Sequence, residues 1–269
     1  MIKNYLEAKR EIQKSKTDNI YISSDLLRTV KLPYPPNRTL LDAHCELLIG
    51  LEKNILMPVF NYDFLTSGVF SLERSPSQVG VINEHFRTTI ATWRTPVPVF
   101  SVSGNGELPP IYFQGIIDPF DEKSIFEYLY KTNSLILYYG ANFSVTTLIH
   151  YVERISKKLV YRYDKYFHGK IISDCSSEVI TLKYHVRPAG YELDYDWNRL
   201  EKDLINRNIL RCFDKGVVKI RILNVKDLVD FWLERFDSNR LYFLTKESEA
   251  WVKPLLDNLG RSFVLSDFE

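Results

Sequence analysis

Between residues 18 and 60 the chain sets a short apolar run, a helical pattern and a second short apolar run in succession, and that order constrains its fold more than any other feature. Asp18 to Ser24 reads as a strand whose last two residues, Ser23 and Ser24, bring hydroxyls to its carboxyl end. A proline-rich loop, Lys31 to Arg38, follows. From Thr39 onward, Leu40, Leu41, His44, Leu47, Leu48 and Leu51 recur at three- and four-residue spacing, and Thr39 with Asp42 makes a capping-box-like start, so this segment reads as an amphipathic helix. Asn54 to Phe60 is a second buried strand. Two such strands joined by one helix run parallel in a βαβ unit, which predicts an α/β core.

The alternation continues with a strand at Ser134 to Tyr139 and a helix at Thr146 to Lys158. Residues 1–17 carry seven charged side chains around Leu6 and Ile12 and read as a solvated helix docked by one edge. Beyond Lys158 the pattern changes: Leu159 to Tyr163, Glu178 to Val186 and Gly216 to Ile222 alternate like strands exposed on one face, around a helix near Tyr195 to Arg207. A final helix, Val225 to Arg235, precedes a tail to Glu269. The expected organisation is an α/β core over residues 1–158 with an α+β region over 159–269 packed on it.

Composition removes several classes of function. With Lys plus Arg at 35 and Asp plus Glu at 34, the net charge of +1 supplies no general attraction for nucleic acid. Apolar runs fall far short of the ~20 residues a membrane-spanning helix needs. Charges stand early in the N-terminus, where a secretory signal would be apolar, so the expected location is cytoplasmic, with no membrane partner. Cys45, Cys175 and Cys212 lie too far apart for a C-x-x-C pair, so neither a disulfide framework nor a bound metal is expected.

Ser75 to Arg87 reads Ser-Pro-Ser-Gln-Val-Gly-Val-Ile-Asn-Glu-His-Phe-Arg, Arg94 to Pro98 reads Arg-Thr-Pro-Val-Pro, and Thr147-Leu148-Ile149-His150-Tyr151-Val152-Glu153 follows the third strand. In order and spacing these runs resemble the aminoglycoside 3-N-acetyltransferase family, with its Ser-Pro-x-x-x-Gly-x-x-x-Glu-x-Phe-Arg, Arg-Ser-x-His-Pro and Thr-x-x-His-x-x-Glu runs. The likeness covers roughly Ile20 to Glu153 and is looser from there to about Leu244. It implies an α/β fold: a central, mostly parallel sheet in an αβα sandwich, with a smaller additional α+β region. It further implies acyl-coenzyme A as co-substrate, bound with the catalytic site on the 1–158 core while the 159–269 region contributes to acceptor binding.

His150 is the expected catalytic residue. An acceptor amine arrives mostly as ammonium, without a lone pair, and a neutral imidazole suits its deprotonation. The start of a helix disfavours imidazolium while Glu153, one turn on, favours it, and Glu153 can also fix the tautomer. Read from the residues alone, the same histidine is a capping-region side chain; the resemblance puts catalysis ahead. Asp194 and Asp196 are candidates for a further carboxylate, helix capping being the other reading. For coenzyme A the resemblance implies Ser23 and Ser24, with Ser75, Ser77 and Gly80 as further contacts, turn and cap chemistry being the alternative for each. Asn61, Tyr62, Asp63 and Phe64 follow the second strand and are the expected acceptor contacts, against an Asx turn. Val59 stands where the family has Thr and Val97 where it has His, which suggests an altered acceptor.

Because the chain is charge-balanced and the loop after Phe60 is aromatic, a polycationic aminoglycoside fits less well than an anionic nucleotide-linked amino deoxysugar, such as a dTDP-3-amino-3,6-dideoxyhexose for surface polysaccharide. The acyl group, acetyl or 3-hydroxyacyl, is left open, as is the oligomeric state, a homodimer being one option. Aminoglycoside acetylation is the second reading and a non-catalytic binding module the third.

Overall fold

In the computed structural model, which describes residues 2–269, helix α1 (Ile2–Lys14) docks through Tyr5, Ala8 and Ile12. Ile12 is buried as expected, whereas Leu6 is exposed and Tyr5 and Ala8 complete the docking edge in its place. Strand β1 (Asn19–Ser24) follows, then helix α2 (Leu40–Ile49) and strand β2 (Asn54–Pro58), which is parallel to β1. The Thr39 capping box closes in both directions: the Asp42 N–H donates to Thr39 Oγ1 at 3.1 Å, and the Thr39 N–H to Asp42 Oδ2 at 2.8 Å.

Short helix α3 (Phe64–Ser67), strand β3 (Val69–Ser71), helix α4 (Val81–Thr89) and strands β4 (Trp93–Arg94) and β5 (Val102–Gly104) come next. Helix α5 (Ile125–Lys131) leads into strand β6 (Leu135–Tyr139) and helix α6 (Leu148–Ile155). A long hairpin of β7 (Tyr163–Ser173) and β8 (Ser176–Val186) is followed by α7 (Trp197–Asn206), β9 (Arg211–Cys212), β10 (Ile220–Asn224), α8 (Val225–Ser238) and α9 (Lys246–Leu259).

The main sheet has the order β4-β5-β2-β1-β6-β10-β9. Its three central strands are parallel and both flanks antiparallel. Alternation along the central strands sorts the two faces. Ile20, Ile22, Leu135, Leu137, Ile220 and Ile222 pack with α1, α2 and α4 on one side. Tyr21, Ile136, Tyr138 and Leu223 pack with α5, α6 and α8 on the other, completing an αβα sandwich. A smaller sheet, β3-β7-β8, covers a separate cluster built on Phe64, Phe70, Leu182 and Tyr184.

Three differences from expectation bear on the site. Because β10 pairs with β6, the main sheet takes strands from both sides of residue 158 and so crosses the boundary expected there. Helix α6 begins at Leu148 rather than Thr146 and ends at Ile155; Lys157, at φ 55°, turns the chain toward the hairpin, so residues 159–162 are irregular and the strand starts at Tyr163. The tail contains α9, capped by Thr245, whose hydroxyl accepts the Ser248 N–H. No helix of the described residues is long and apolar enough to cross a membrane.

Candidate active site

Open α/β sheets bind ligands beyond the carboxyl ends of their strands. Here β1, β2 and β6 end together on a cleft of about 800 Å³. Gly140, directly after β6 at φ 82°, lets the chain pass the Asp25 carbonyl, which a Cβ would meet at 2.1 Å. Ser23 and Ser24 form one wall. Ser24 Oγ donates to Asn83 Oδ1 at 2.6 Å, and Gly80, at φ 72°, fits against this pair; a Cβ there would lie 3.0 Å from Asn83 Cγ and 3.1 Å from Ser24 Oγ.

Opposite lies the start of α6. Thr146 is buried, its hydroxyl shared with Tyr138 Oη at 2.6 Å and donated to the Phe143 carbonyl. Thr146 therefore anchors the preceding turn instead of capping α6, and Thr147 makes no side-chain cap. Among the described residues the Thr147 and Leu148 amides, at the start of α6, have no acceptor, and Thr147 lines the cleft. The imidazole stands on the cleft wall with 23% of its side chain exposed, and its Nδ1 lies 3.0 Å from Glu153 Oε2. With a carboxylate as partner, Nδ1 carries the hydrogen and Nε2 keeps its lone pair. Burial lowers the imidazole's pKa below its ordinary value, outweighing the opposing pull of Glu153.

Glu153 is fully buried and accepts hydrogen bonds from every direction. Tyr161 and Tyr195 donate to Oε1 at 2.7 and 2.6 Å; His150 and His185 face Oε2 at 3.0 and 3.2 Å; and Arg162 Nε lies 3.5 Å from Oε2. Burial alone would raise its pKa, but Arg162 and the two histidines hold it well below the usual carboxylate range. His185, buried and sharing that carboxylate, is pushed down to about 4 by desolvation. His150, Glu153 and His185 offer three donor atoms within 4.8 Å of one another, a geometry that could hold a metal ion. They are already hydrogen-bonded together, and the Arg162 guanidinium disfavours a second cation beside Glu153.

The other expected residues divide. Ser23, Ser24, Gly80 and Tyr62 line the cleft. Ser75 and Ser77 do not: their hydroxyls accept the Ser71 and Val79 N–H groups in local turns. Asn61 is buried, donating to the Pro76 carbonyl at 3.0 Å, Asp63 accepts from Gln78, and Phe64 sits in the core of the small sheet, so of that segment only Tyr62 reaches the cleft. Val59 and Val97 are buried off the cleft wall. Asp196 caps α7, accepting the Arg199 N–H at 3.1 Å, and Asp194 is exposed; neither carboxylate contacts His150. The residue between them, Tyr195, supplies the contact that they were expected to make.

Tyr161, Arg162, His185 and Tyr195 are the site residues that sequence reasoning missed. The hairpin base brings the first three to α6, since Tyr163 pairs with Val186. One signal was present: an arginine between two tyrosines, after an apolar stretch, is a charge placed where burial is expected.

A doubly covered sheet with a cleft at the carboxyl edge of its parallel strands, and a carboxylate-held imidazole on the cleft wall, is an arrangement suited to group transfer. The sequence profile of the aminoglycoside 3-N-acetyltransferase family matches residues 53–237, and the chain belongs to that family as an acyl-CoA-dependent N-acyltransferase. No curated protein matches it in sequence. Among solved structures, AAC-IIIb with CoASH is 19% identical, with 86% of this chain and 95% of that one covered and a TM-score of 0.68. Aminoglycoside acetyltransferase AAC(3)-IIb is 13% identical, with 88% and 97% covered at a TM-score of 0.71. The YokD protein of Bacillus subtilis is 17% identical, with 86% and 94% covered at a TM-score of 0.63. At these identities the likeness establishes the fold, an αβα sandwich with its smaller sheet.

Proposed function

We propose that this enzyme acylates the primary amine of a nucleotide-linked amino deoxysugar, with His150 as the base. The observation that carries the base assignment is the His150 ring, tied at Nδ1 to Glu153 while Nε2 makes no hydrogen bond among the described residues. In the proposed step the acceptor, its ammonium proton released to solvent, attacks the thioester carbonyl as the free amine, and Nε2 takes the proton that its nitrogen sheds as the C–N bond forms. The Thr147 and Leu148 amides stabilise the oxygen that gains charge, and the imidazolium returns the proton to the departing thiolate as the C–S bond breaks. Each proton is accounted for without a covalent enzyme intermediate. Of the expected cofactor contacts, Ser23, Ser24 and Gly80 line the cleft, whose volume is usual for small-molecule ligands, and this supports assigning them to acyl-coenzyme A.

The acceptor assignment rests on charge. Asp25 is the sole carboxylate among the residues lining the cleft, which also includes Phe60, Tyr62, Phe100 and Trp197. A polycation finds little compensation there. Arg28, 2.5 Å from Asn142 Oδ1 of the cleft lining and 3.7 Å from Asp25 Oδ2, offsets that carboxylate, which further weakens the case for a polycation. Aminoglycoside acetylation is the second reading, favoured by the family's description and by a solved relative in complex with a gentamicin. Thiol release from acetyl-CoA and a 3-hydroxyacyl-CoA, measured against dTDP-amino-sugar and kanamycin-class panels, decides between them. The proposal expects kcat/KM for a nucleotide-linked amine to lead by about tenfold or more, equivalent to ~1.4 kcal/mol of transition-state preference. Preference for an aminoglycoside overturns the acceptor, and turnover of no amine favours a binding module.

A further inference from the structure

A buried carboxylate touching an imidazole ordinarily draws a proton onto it, which would spoil a base that must start uncharged. In this site a second charge intervenes. Arg162 and Glu153 are 6% and 0% exposed, and the guanidinium Nε stands 3.5 Å from Glu153 Oε2, an ion pair rather than a hydrogen bond. Its Nη2 donates to Tyr195 Oη at 2.7 Å, and that hydroxyl donates to Glu153 Oε1 at 2.6 Å, so a tyrosine bridges the pair. Arg162 Nη1 reaches the His185 carbonyl at 3.5 Å, and the guanidinium lies over the Tyr195 ring, 5.3 Å from its centroid. It is pinned between the hairpin base and the segment before α7.

We propose that Arg162 is a positioning residue for the acylation: it neutralises Glu153 in place, so that the carboxylate orients His150 and fixes its tautomer without charging it. The inference rests on the base assignment above, but it has a readout of its own. The ionisable groups around the His150 ring are Glu153 on its own helix, Arg162 from the segment before β7, His185 on β8, Arg187 just beyond β8, and Tyr195 before α7. Phe100 and Phe120 pack on its remaining sides without charge, their ring centroids 6.5 and 5.3 Å away. Among these groups Glu153 alone draws a proton toward His150, while Arg162 and Arg187 oppose it.

The test is an NMR titration of the His150 imidazole in the parent enzyme and in Arg162→Met, with the acid limb of kcat/KM followed alongside. In the parent, the midpoint is expected below the unperturbed value of about 6.5. In Arg162→Met, midpoint and acid limb are expected to move up by about one pH unit or more, the usual effect of a nearby charge. Arg162→Lys keeps the charge and is expected to restore most of the difference. A parent midpoint above about 7, or a folded Arg162→Met enzyme that titrates like the parent, overturns the proposal. Because burial already lowers the parent midpoint, the comparison with a charge-free variant carries the test, and Arg162→Gln takes the place of Arg162→Met if the latter does not fold. Since the titration is read without turnover, its outcome is separate from that of the base assignment, which stands or falls on the activity of His150 variants.

Discussion

His185 Nε2 lies 3.2 Å from Glu153 Oε2, the same oxygen that His150 Nδ1 faces at 3.0 Å. One carboxylate therefore holds two imidazoles, a single one of which lines the cleft.

Burial of the second imidazole, which outweighs the pull of the shared carboxylate, makes the fold acid-sensitive. The folded-state pKa of His185 is pushed down to about 4, below its ordinary 6.5. Its contribution is therefore fully present above pH 6.5 and is lost as pH falls toward 4, because the unfolded chain binds the proton first. Chemical denaturation is expected to show unfolding free energy dropping by about 2–3 kcal/mol between pH 7 and pH 4.5 from this group, and His185→Gln should flatten that slope. An unchanged slope in the variant would assign the acid sensitivity elsewhere.

Glu153→Gln should lower kcat on the order of 10²-fold or more, because an amide can donate to Nδ1 and so favour the tautomer that puts the hydrogen on Nε2. It also leaves Arg162 without its counter-ion, so a lower melting temperature should accompany the loss. Steady-state kinetics with calorimetry checks both, and a fully active variant would remove Glu153 from the account.

The aspartates give the opposite expectation. Asp196→Ala should cost about 1 kcal/mol through its lost helix cap while kcat stays at the parent level. Asp194→Ala, at an exposed side chain, should change neither. A drop in kcat for either variant would mean that these carboxylates reach the chemistry after all.

How far the site was legible depended on how local its signals were. The Thr39–Asp42 cap, the parallel β1–α2–β2 unit and the His150–Glu153 pair lie within spacings that periodicity and capping make visible. Tyr161, Arg162, His185 and Tyr195 meet Glu153 only because a hairpin returns its base to α6 and the chain passes α6 again before α7, contacts with no local signature. The Ser75–Arg87 run was legible as a motif, yet part of it is scaffold. Glu84 accepts the Ser77 N–H at 2.7 Å and pairs with Arg87, while the Ser75 carbonyl accepts from buried Arg94. On the antiparallel flanks of the main sheet β10 was legible in the Gly216 to Ile222 run, whereas β4, β5 and β9 were missed because strands of two or three residues carry too little alternation to register.

Gly140→Ala tests the turn that opens the cleft. At φ 82°, with the Asp25 carbonyl 2.1 Å from the would-be Cβ, the added methyl must displace backbone. Denaturation should show a loss of about 2–4 kcal/mol. A loss under about 0.5 kcal/mol would show that the turn relaxes freely.

The most direct measurement is kcat of His150→Asn against the parent, with acetyl-CoA and the best acceptor amine. A neutral base predicts a fall of about 10²–10⁴-fold with coenzyme A binding unchanged. A variant that turns over at the parent's rate would contradict the assignment of His150 as the group that takes the amine's proton.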